Sequence, residues 1–413
     1  MPHRLSNRAS MYMSTTANSS DLLDYASSLE WRGYSRADGR VGIRNHRIVL
    51  STVALTDRLA ASIASMDRDS LCVTGAFSRG LQKTDEHMVE RFIQSVLTHP
   101  NVGAALVITH DGASADHLAE IVKATIPVEY MAFMECEGRE KAVAAGCEKL
   151  QMLADRQDAL EQKRTVVGPR AVSMALECGG SDISSSICSN PVIGDICDFV
   201  VAAGGLAVVS ETTEFIGAEA VFDDRCPNPV TRKATLDFIG YRAILMEQDS
   251  GKDYRGTNPT QENIAGGLTT LIEKSMGAVS KTGTTDFISA LEFGMSANAP
   301  GLHFMDTPFF SPVSLTGMMM AGCNLGLFAM GVFNPSGNPL CPIIKICGNP
   351  QTLRNWGDDI DVELDGYFTG ELDRVGAQIA VLSKMNMVFN GAETASEAIG
   401  EGQFMLPRLK DAL

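Results

Sequence analysis

The sequence predicts an α/β protein in which a first domain built on a parallel sheet is followed by a larger, loop-rich α/β domain. Three observations predict it. From residue 48 onward, short β-rich apolar runs alternate with stretches of helical periodicity, the pattern of a parallel sheet with helices on its faces. The length of 413 residues corresponds to two to three domains at roughly 100–200 residues each. A charged, apolar-poor stretch, residues 155–165, divides the periodic pattern in two. The organisation read from this is a disordered tail over 1–29, an N-terminal α/β domain over 30–160 and a C-terminal α/β domain over 166–413 that binds metal and substrate.

The elements follow in order. The tail is polar and serine-rich, a composition that does not build a core. Residues 48–53 read as a buried strand, and residues 57–66 carry Leu59, Ile63 and Met66 at helical spacing. Residues 73–81 hold two glycines and read as a loop. The spacing of Met88, Phe92 and Val96 predicts an amphipathic helix over 84–97. A second strand is expected over 102–109, ending at His110, Asp111 and Gly112. A helix over 115–123, a third strand over 128–133 and a long helix over 139–161 complete the first domain. In the second, strands are expected over 172–176, 206–210, 299–305 and 342–347, with helices over 193–203 and 268–276. No repeat of fixed period is present.

Composition excludes several classes of function. The formal charge of −16, from 34 basic and 50 acidic residues, opposes nucleic acid and anionic membranes as main partners, since both require a basic face. No apolar run approaches the ~18 residues that cross a bilayer, and no secretory signal opens the chain, so a cytoplasmic location is expected. The ten cysteines form no CxxC pair, which removes a zinc ribbon; most are read as small buried hydrophobes. A Walker A loop, a strand-linked GxGxxG and a Gly-x-Ser-x-Gly elbow are all missing.

Two strand ends carry the chemistry. Ligands of parallel α/β sheets sit beyond the carboxyl ends of strands. One such end offers Cys178, Ser181 and Asp182; the other offers Glu211 and Glu214. If the strands are neighbours, a thiolate and two or three carboxylates meet, and a divalent cation, Fe(II), Mn(II) or Mg(II), is the expected neutraliser. The alternative is that Cys178 is core and the acids cap the helices that follow. The glycines of residues 178–182 and of Lys281-Thr282-Gly283-Thr284-Thr285 free backbone N–H groups for an anion. His110 is a candidate base, acid or metal ligand, against a plain structural histidine.

These segments, taken together, resemble the altronate/galactarate dehydratase family. The resemblance rests on Gly33 to Asn45 (GYSRADGRVGIRN), Cys178 to Asp182, Asn190-Pro191, Ser210-Glu211-Thr212, Asn258-Pro259, Gly266 to Thr269, Glu273-Lys274-Ser275, Lys281 to Thr285, Phe304 to Gly317, Ile344-Lys345 and Asp358 to Asp361. It covers residues 31 to 405. It implies an iron(II)-dependent lyase that removes water from a 2,3-dihydroxy carboxylate to give a 2-keto-3-deoxy acid. Two-subunit relatives release sulfite from 3-sulfolactate instead. Many family chains open with a small antifreeze-like (SAF) domain, and its place here falls to a separate small subunit, a candidate partner beside the hydroxy-acid substrate and further copies of the chain.

On this resemblance Cys178 and Glu211 are expected as metal ligands, with Asp182 and Glu214 as helpers. His110 and Lys281 are the expected catalytic residues. Ser181, Asn190, Asn258, Thr284, Asp306, Ser314 and Lys345 are expected to bind substrate. Three family segments are altered: a TVNCS-type stretch is replaced by residues 52–56, a THGTGC-type loop by residues 74–80, and a TTGRGS-like loop by residues 330–337. In the second, Arg79 supplies a guanidinium suited to a sulfonate or a second carboxylate. Three readings follow: a hydro-lyase on a sugar acid, a carbon–sulfur lyase on sulfolactate, and a non-catalytic binding relative.

Overall fold

A computed structural model of the chain describes residues 19–75, 77–251 and 258–410. Its strands, in chain order, are β1 (Trp31–Ser35), β2 (Val41–Gly42), β3 (His46–Ser51), β4 (Ser70–Val73), β5 (Val102–Thr109), β6 (Val128–Ala132), β7 (Thr165–Val167), β8 (Ser173–Gly179), β9 (Leu206–Val209), β10 (Phe287–Leu291), β11 (Gly301–Met305), β12 (Leu325–Met330), β13 (Ile343–Cys347) and β14 (Val362–Glu363). The fold is α/β with parallel sheets, as expected.

The first sheet has the order β4-β3-β5-β6 and every pairing in it is parallel. β5 is buried along its whole length, so its run of apolar residues has no polar face, as a strand covered on both sides requires. Helix Lys83–Leu97 packs Phe92 and Val96 on one face of this sheet. Helices Asp57–Ala64 and Arg139–Ala159 cover the other.

The larger sheet has the order β10-β11-β9-β8-β12-β13-β14, again parallel throughout. From β8 at its centre the chain steps to β9, passes to the edge strand β10 and returns to β11, then crosses to β12, β13 and β14 on the other side. β8, which leads to β9 on one side, and β12, which leads to β13 on the other, therefore flank the point where strand order reverses, the place where loops diverge and ligands bind in such sheets. One face of this sheet packs on helices Asn190–Ala202, Leu271–Ser280 and Arg374–Phe389. The other packs on helix Ser311–Met320 and continues into the core of the first domain.

Two features depart from the sequence reading. Residues 19–28, expected to be disordered, form a helix, with Leu22 buried and Tyr25, Ala26 and Leu29 against the same core at helical spacing; residues 1–18 of that expected tail lie outside the described residues. Helix Ser311–Met320 is buried on all sides, so it shows no amphipathic period to read.

The opening segment also does more than begin the first domain. β1 pairs with β2 and β7 in a small antiparallel sheet, and Trp31 meets Phe389 edge-on at 5.2 Å within the larger core. Asn101 seals the seam between the domains. Its Oδ1 accepts from the N–H groups of Ile43 and Arg44, and its Nδ2 donates to the carbonyls of Asn324 and Leu340. No helix among the described residues is long and apolar enough to cross a membrane.

Candidate active site

The strand that ends at the switch point is longer than the sequence reading has it. β8 runs on through Glu177 and Cys178, which stay in the ladder opposite Phe328 and Ala329 of β12. Successive strand residues point to opposite faces. Cys178 therefore joins the core under helices Asn190–Ala202 and Leu271–Ser280, while Glu177 faces helix Ser311–Met320 and the first domain. Beyond the strand, Gly180 (φ +60°) turns the chain, and a Cβ there would lie 2.1 Å from the Val332 carbonyl oxygen, so the position requires glycine.

On the Cys178 face a buried ion cluster is built around Lys281. The Lys281 ammonium lies 3.1 Å from Cys178 Sγ and 3.0 Å from Glu214 Oε2, and the Cys178 thiol donates to the same oxygen at 2.9 Å. The second oxygen of Glu214 faces Lys274 at 3.7 Å. Burial alone would raise the Glu214 carboxyl, but Lys281 and Lys274 hold it below its ordinary value, so it is ionised. Burial, reinforced by Glu214, pushes the Cys178 thiol well up. Burial opposes the charge on Lys281, yet Cys178 and the three surrounding carboxyls raise its pKa and keep it an ammonium.

On the other face lies a carboxyl pair. Ser314 donates to Glu177 Oε2, and the Ser210 and Ser314 hydroxyls are 2.5 Å apart. No N–H or hydroxyl donor among the described residues reaches Glu177 Oε1. The Glu211 carboxyl lies close enough to shift Glu177, and two buried acids side by side favour the retention of a proton by one of them. Burial pushes Glu177 up to about 7, and burial together with Glu177 raises Glu211 well above the usual range. Charge counting agrees: the acids Glu177, Glu211 and Glu214 face the ammoniums of Lys274 and Lys281, so one retained proton leaves the cluster neutral. Glu211 also sits at φ 65°, ψ 63°, a left-handed conformation that costs a non-glycine residue about 1–2 kcal/mol. The strain is held by Thr307, whose Oγ1 accepts from the Glu211 N–H at 2.8 Å.

The other expected residues fall into place around this core. Asp182 does not join the cluster. It accepts from the Ser184 hydroxyl, the Ser185 N–H and Asn349 Nδ2, and so caps its own loop and ties it to the loop after β13. Ser181 Oγ lies 4.0 Å from Cys178 Sγ. Asn258 donates to the Thr213 carbonyl, and its Oδ1, like that of Asn190, is buried without a partner among the described residues. Thr284 is engaged elsewhere: its N–H and hydroxyl, with those of Thr285, grip the Asp198 carboxylate. Asp306 is paired with Arg242 and accepts from Thr212. Lys345 shares the face of Glu177, is buried, donates to the Pro335 carbonyl and lies over the Phe333 ring. Burial lowers its pKa.

His110 belongs to the first sheet. Its Nδ1 is 3.6 Å from Asp111, and Asp111 in turn accepts from Arg79, so that guanidinium is already engaged. Glu177 and Lys274 were missed from sequence. The signal for Glu177 was an acid directly following a strand of apolar residues, where burial makes a carboxyl informative.

The donors do not fit the expected divalent ion. Among the described residues, no three His, Cys, Asp or Glu side chains converge so as to hold a metal. The cation beside Cys178 and Glu214 is the lysine ammonium, Glu211 is turned to Glu177, and Asp182 is a cap. Cys178, Glu211, Asp182 and Glu214 are thus not one ligand set.

A parallel sheet whose switch point gathers buried acids and a buried ammonium has the build of an α/β enzyme. Comparison with known proteins makes the class specific. Residues 170–411 match the family model described as D-galactarate/Altronate dehydratase, C-terminal, and residues 33–158 match D-galactarate dehydratase/Altronate hydrolase, second domain. The chain belongs to this family and is a lyase. It is 30% identical to (2R)-sulfolactate sulfo-lyase subunit beta of Chromohalobacter salexigens, covering 92% of this chain and 97% of that protein. It is 31% identical to altronate dehydratase of Escherichia coli over 82% of this chain and 70% of that one. It is 26% identical to galactarate dehydratase (L-threo-forming) of the same organism over 69% and 56%.

Proposed function

We propose that this chain dehydrates a sugar acid of the altronate or galactarate kind to a 2-keto-3-deoxy acid by removing the C2 proton and expelling the C3 hydroxyl. The observation that carries the reading is the pair of buried neighbouring acids Glu177 and Glu211 at the switch point of the larger sheet; with three acids facing two ammoniums, one of the pair keeps its proton. The ionised member takes the C2 proton, and the protonated member delivers its proton to the departing hydroxyl, so water leaves and the enol formed tautomerises to the ketone. One pair thus supplies both base and acid, and such groups typically contribute about 10²–10⁴-fold to rate. Lys345, whose ammonium has among the described residues the Pro335 carbonyl as its hydrogen-bond acceptor, is the side chain suited to the substrate carboxylate, whose charge must be offset before C2 becomes acidic. Because Glu177 and Glu211 are buried, substrate entry requires the loop after β12 to move off the strand ends.

A second reading is favoured by one observation. The match to the sulfo-lyase subunit beta runs nearly end to end in both chains, whereas the match to altronate dehydratase leaves part of that protein uncovered. On this reading sulfite is the leaving group and a small companion subunit completes the enzyme. Incubation of the purified chain with altronate, galactarate and sulfolactate, with and without ferrous iron and a small partner subunit, separates the readings. Formation of 2-keto-3-deoxy acid supports the first, sulfite release supports the second, and the absence of both products under every condition overturns the two together.

A further inference from the structure

We infer that the Lys281 ammonium is the built-in cation of the switch-point cluster and closes Cys178 and Glu214 to divalent metal. The inference goes beyond the proposed reaction and does not depend on which group leaves.

The geometry carries it. Cys178 Sγ, Glu214 Oε2 and Lys281 Nζ form a triangle with sides of 2.9, 3.0 and 3.1 Å, so the ammonium lies where an ion shared by the thiol and the carboxylate would have to sit. The remaining oxygen of Glu214 faces a second ammonium, that of Lys274. Both oxygens of the carboxylate therefore already meet positive charge. Lys281 is fully buried, and its ammonium lies 5.7 Å from the centre of the Phe215 ring, so it has no water to retreat into.

Its backbone is equally fixed. Arg225 donates to the hydroxyl and carbonyl of Thr282 and to the carbonyl of Thr285, and Asp198 takes the N–H groups and hydroxyls of Thr284 and Thr285. The segment after Lys281 is thus clamped from two sides, and the ammonium is delivered to one point. Lys281 is accordingly a positioning residue: it holds Glu214 ionised and Cys178 turned toward it, and it supplies the positive charge otherwise expected from a metal.

The test is titration of the full chain with Co(II) alone, read by the near-ultraviolet absorption of a thiolate–Co(II) bond. The wild-type chain is expected to show no band that depends on Cys178. Lys281→Met, which keeps the volume of the stem and removes the charge, is expected to gain the band, and Lys281→Met combined with Cys178→Ser is expected to lose it again. A Cys178-dependent band in the wild type overturns the inference, as does a folded Lys281→Met chain that takes up no Co(II) at Cys178. Should Lys281→Met be recovered unfolded, refolding in Co(II) decides: restored structure supports the inference, and failure to restore it overturns it. Catalysis by the wild type in the assays above leaves this outcome independent, because the band is read without turnover.

Discussion

The two faces of β8 hold buried charge in opposite ways. On the Cys178 side, every formal charge has a fixed partner: Lys281 with Glu214 and the thiol, Lys274 with the second carboxylate oxygen. On the Glu177 side, two acids meet with one proton between them and hydroxyls as their other company. A closed ion pair resists change because breaking it strands a charge in low dielectric. Two coupled acids instead titrate as a pair, so the proton they hold is open to exchange. Neighbouring residues of one strand are thereby divided between holding the site and working it.

The sharpest way to break this division is Glu177→Gln. It removes the titrating group without removing volume, and kcat should fall by about 10²–10⁴-fold while the thermal midpoint below pH 4.5, where both side chains are neutral, stays close to that of the wild type. Turnover and calorimetry on the same preparation check both halves. Glu214→Ala should do the reverse. It removes the carboxylate in direct contact with Lys281, and the loss of stability should be about 3–5 kcal/mol by denaturant unfolding.

The two faces should also answer pH with opposite sign. Glu177 titrates higher folded than unfolded, from the ordinary 4.5 up to about 7. The folded state therefore binds more protons in that window. The associated stability is present below pH 4.5 and is lost as pH rises through about 7. Glu214 is shifted down, so its contribution is present above its ordinary value and is lost as pH falls. The stability of the wild type relative to Glu177→Gln should accordingly fall with rising pH, by up to about 3 kcal/mol across the window, because the amide does not titrate. Unfolding curves at stepped pH measure it; a wild type that gains on the amide as pH rises would reverse the roles given to the two faces. The smallest effect is expected from His110→Gln, in the first domain. Its kcat should fall by less than the roughly 10²-fold that a general base supplies.

Much of the architecture was legible in the sequence, because a fully buried strand such as β5 reads as a nearly continuous apolar run. The motif segments after β8 and β9 were also legible as neighbours, since parallel sheets gather their loops at one end. What could not be read was which face each residue serves. That depended on β8 continuing past Leu176, and two further ladder positions set Glu177 and Cys178 back to back. Nor could the sequence say that Lys281, over a hundred residues from Cys178, would bring the positive charge to the thiol. That proximity arises only when helix Leu271–Ser280 packs beside helix Asn190–Ala202. The expectation of a metal followed from counting acids along the chain without counting the lysines that fold back onto them. Thr284 and Asp182 misled for a similar reason: hydroxyls and carboxylates in glycine-rich loops serve helix caps as readily as ligands.

The contact of Trp31 with Phe389 joins residues separated by most of the chain, and Leu22 enters the same core. During synthesis Trp31 is made long before Phe389, and it has to wait uncovered until helix Arg374–Phe389 has followed it. The smaller sheet is free to assemble early, but the larger core stays open along that side until that helix emerges. Closure of this core is thus timed by its later partner, and loss of either segment would leave the same hydrophobic gap.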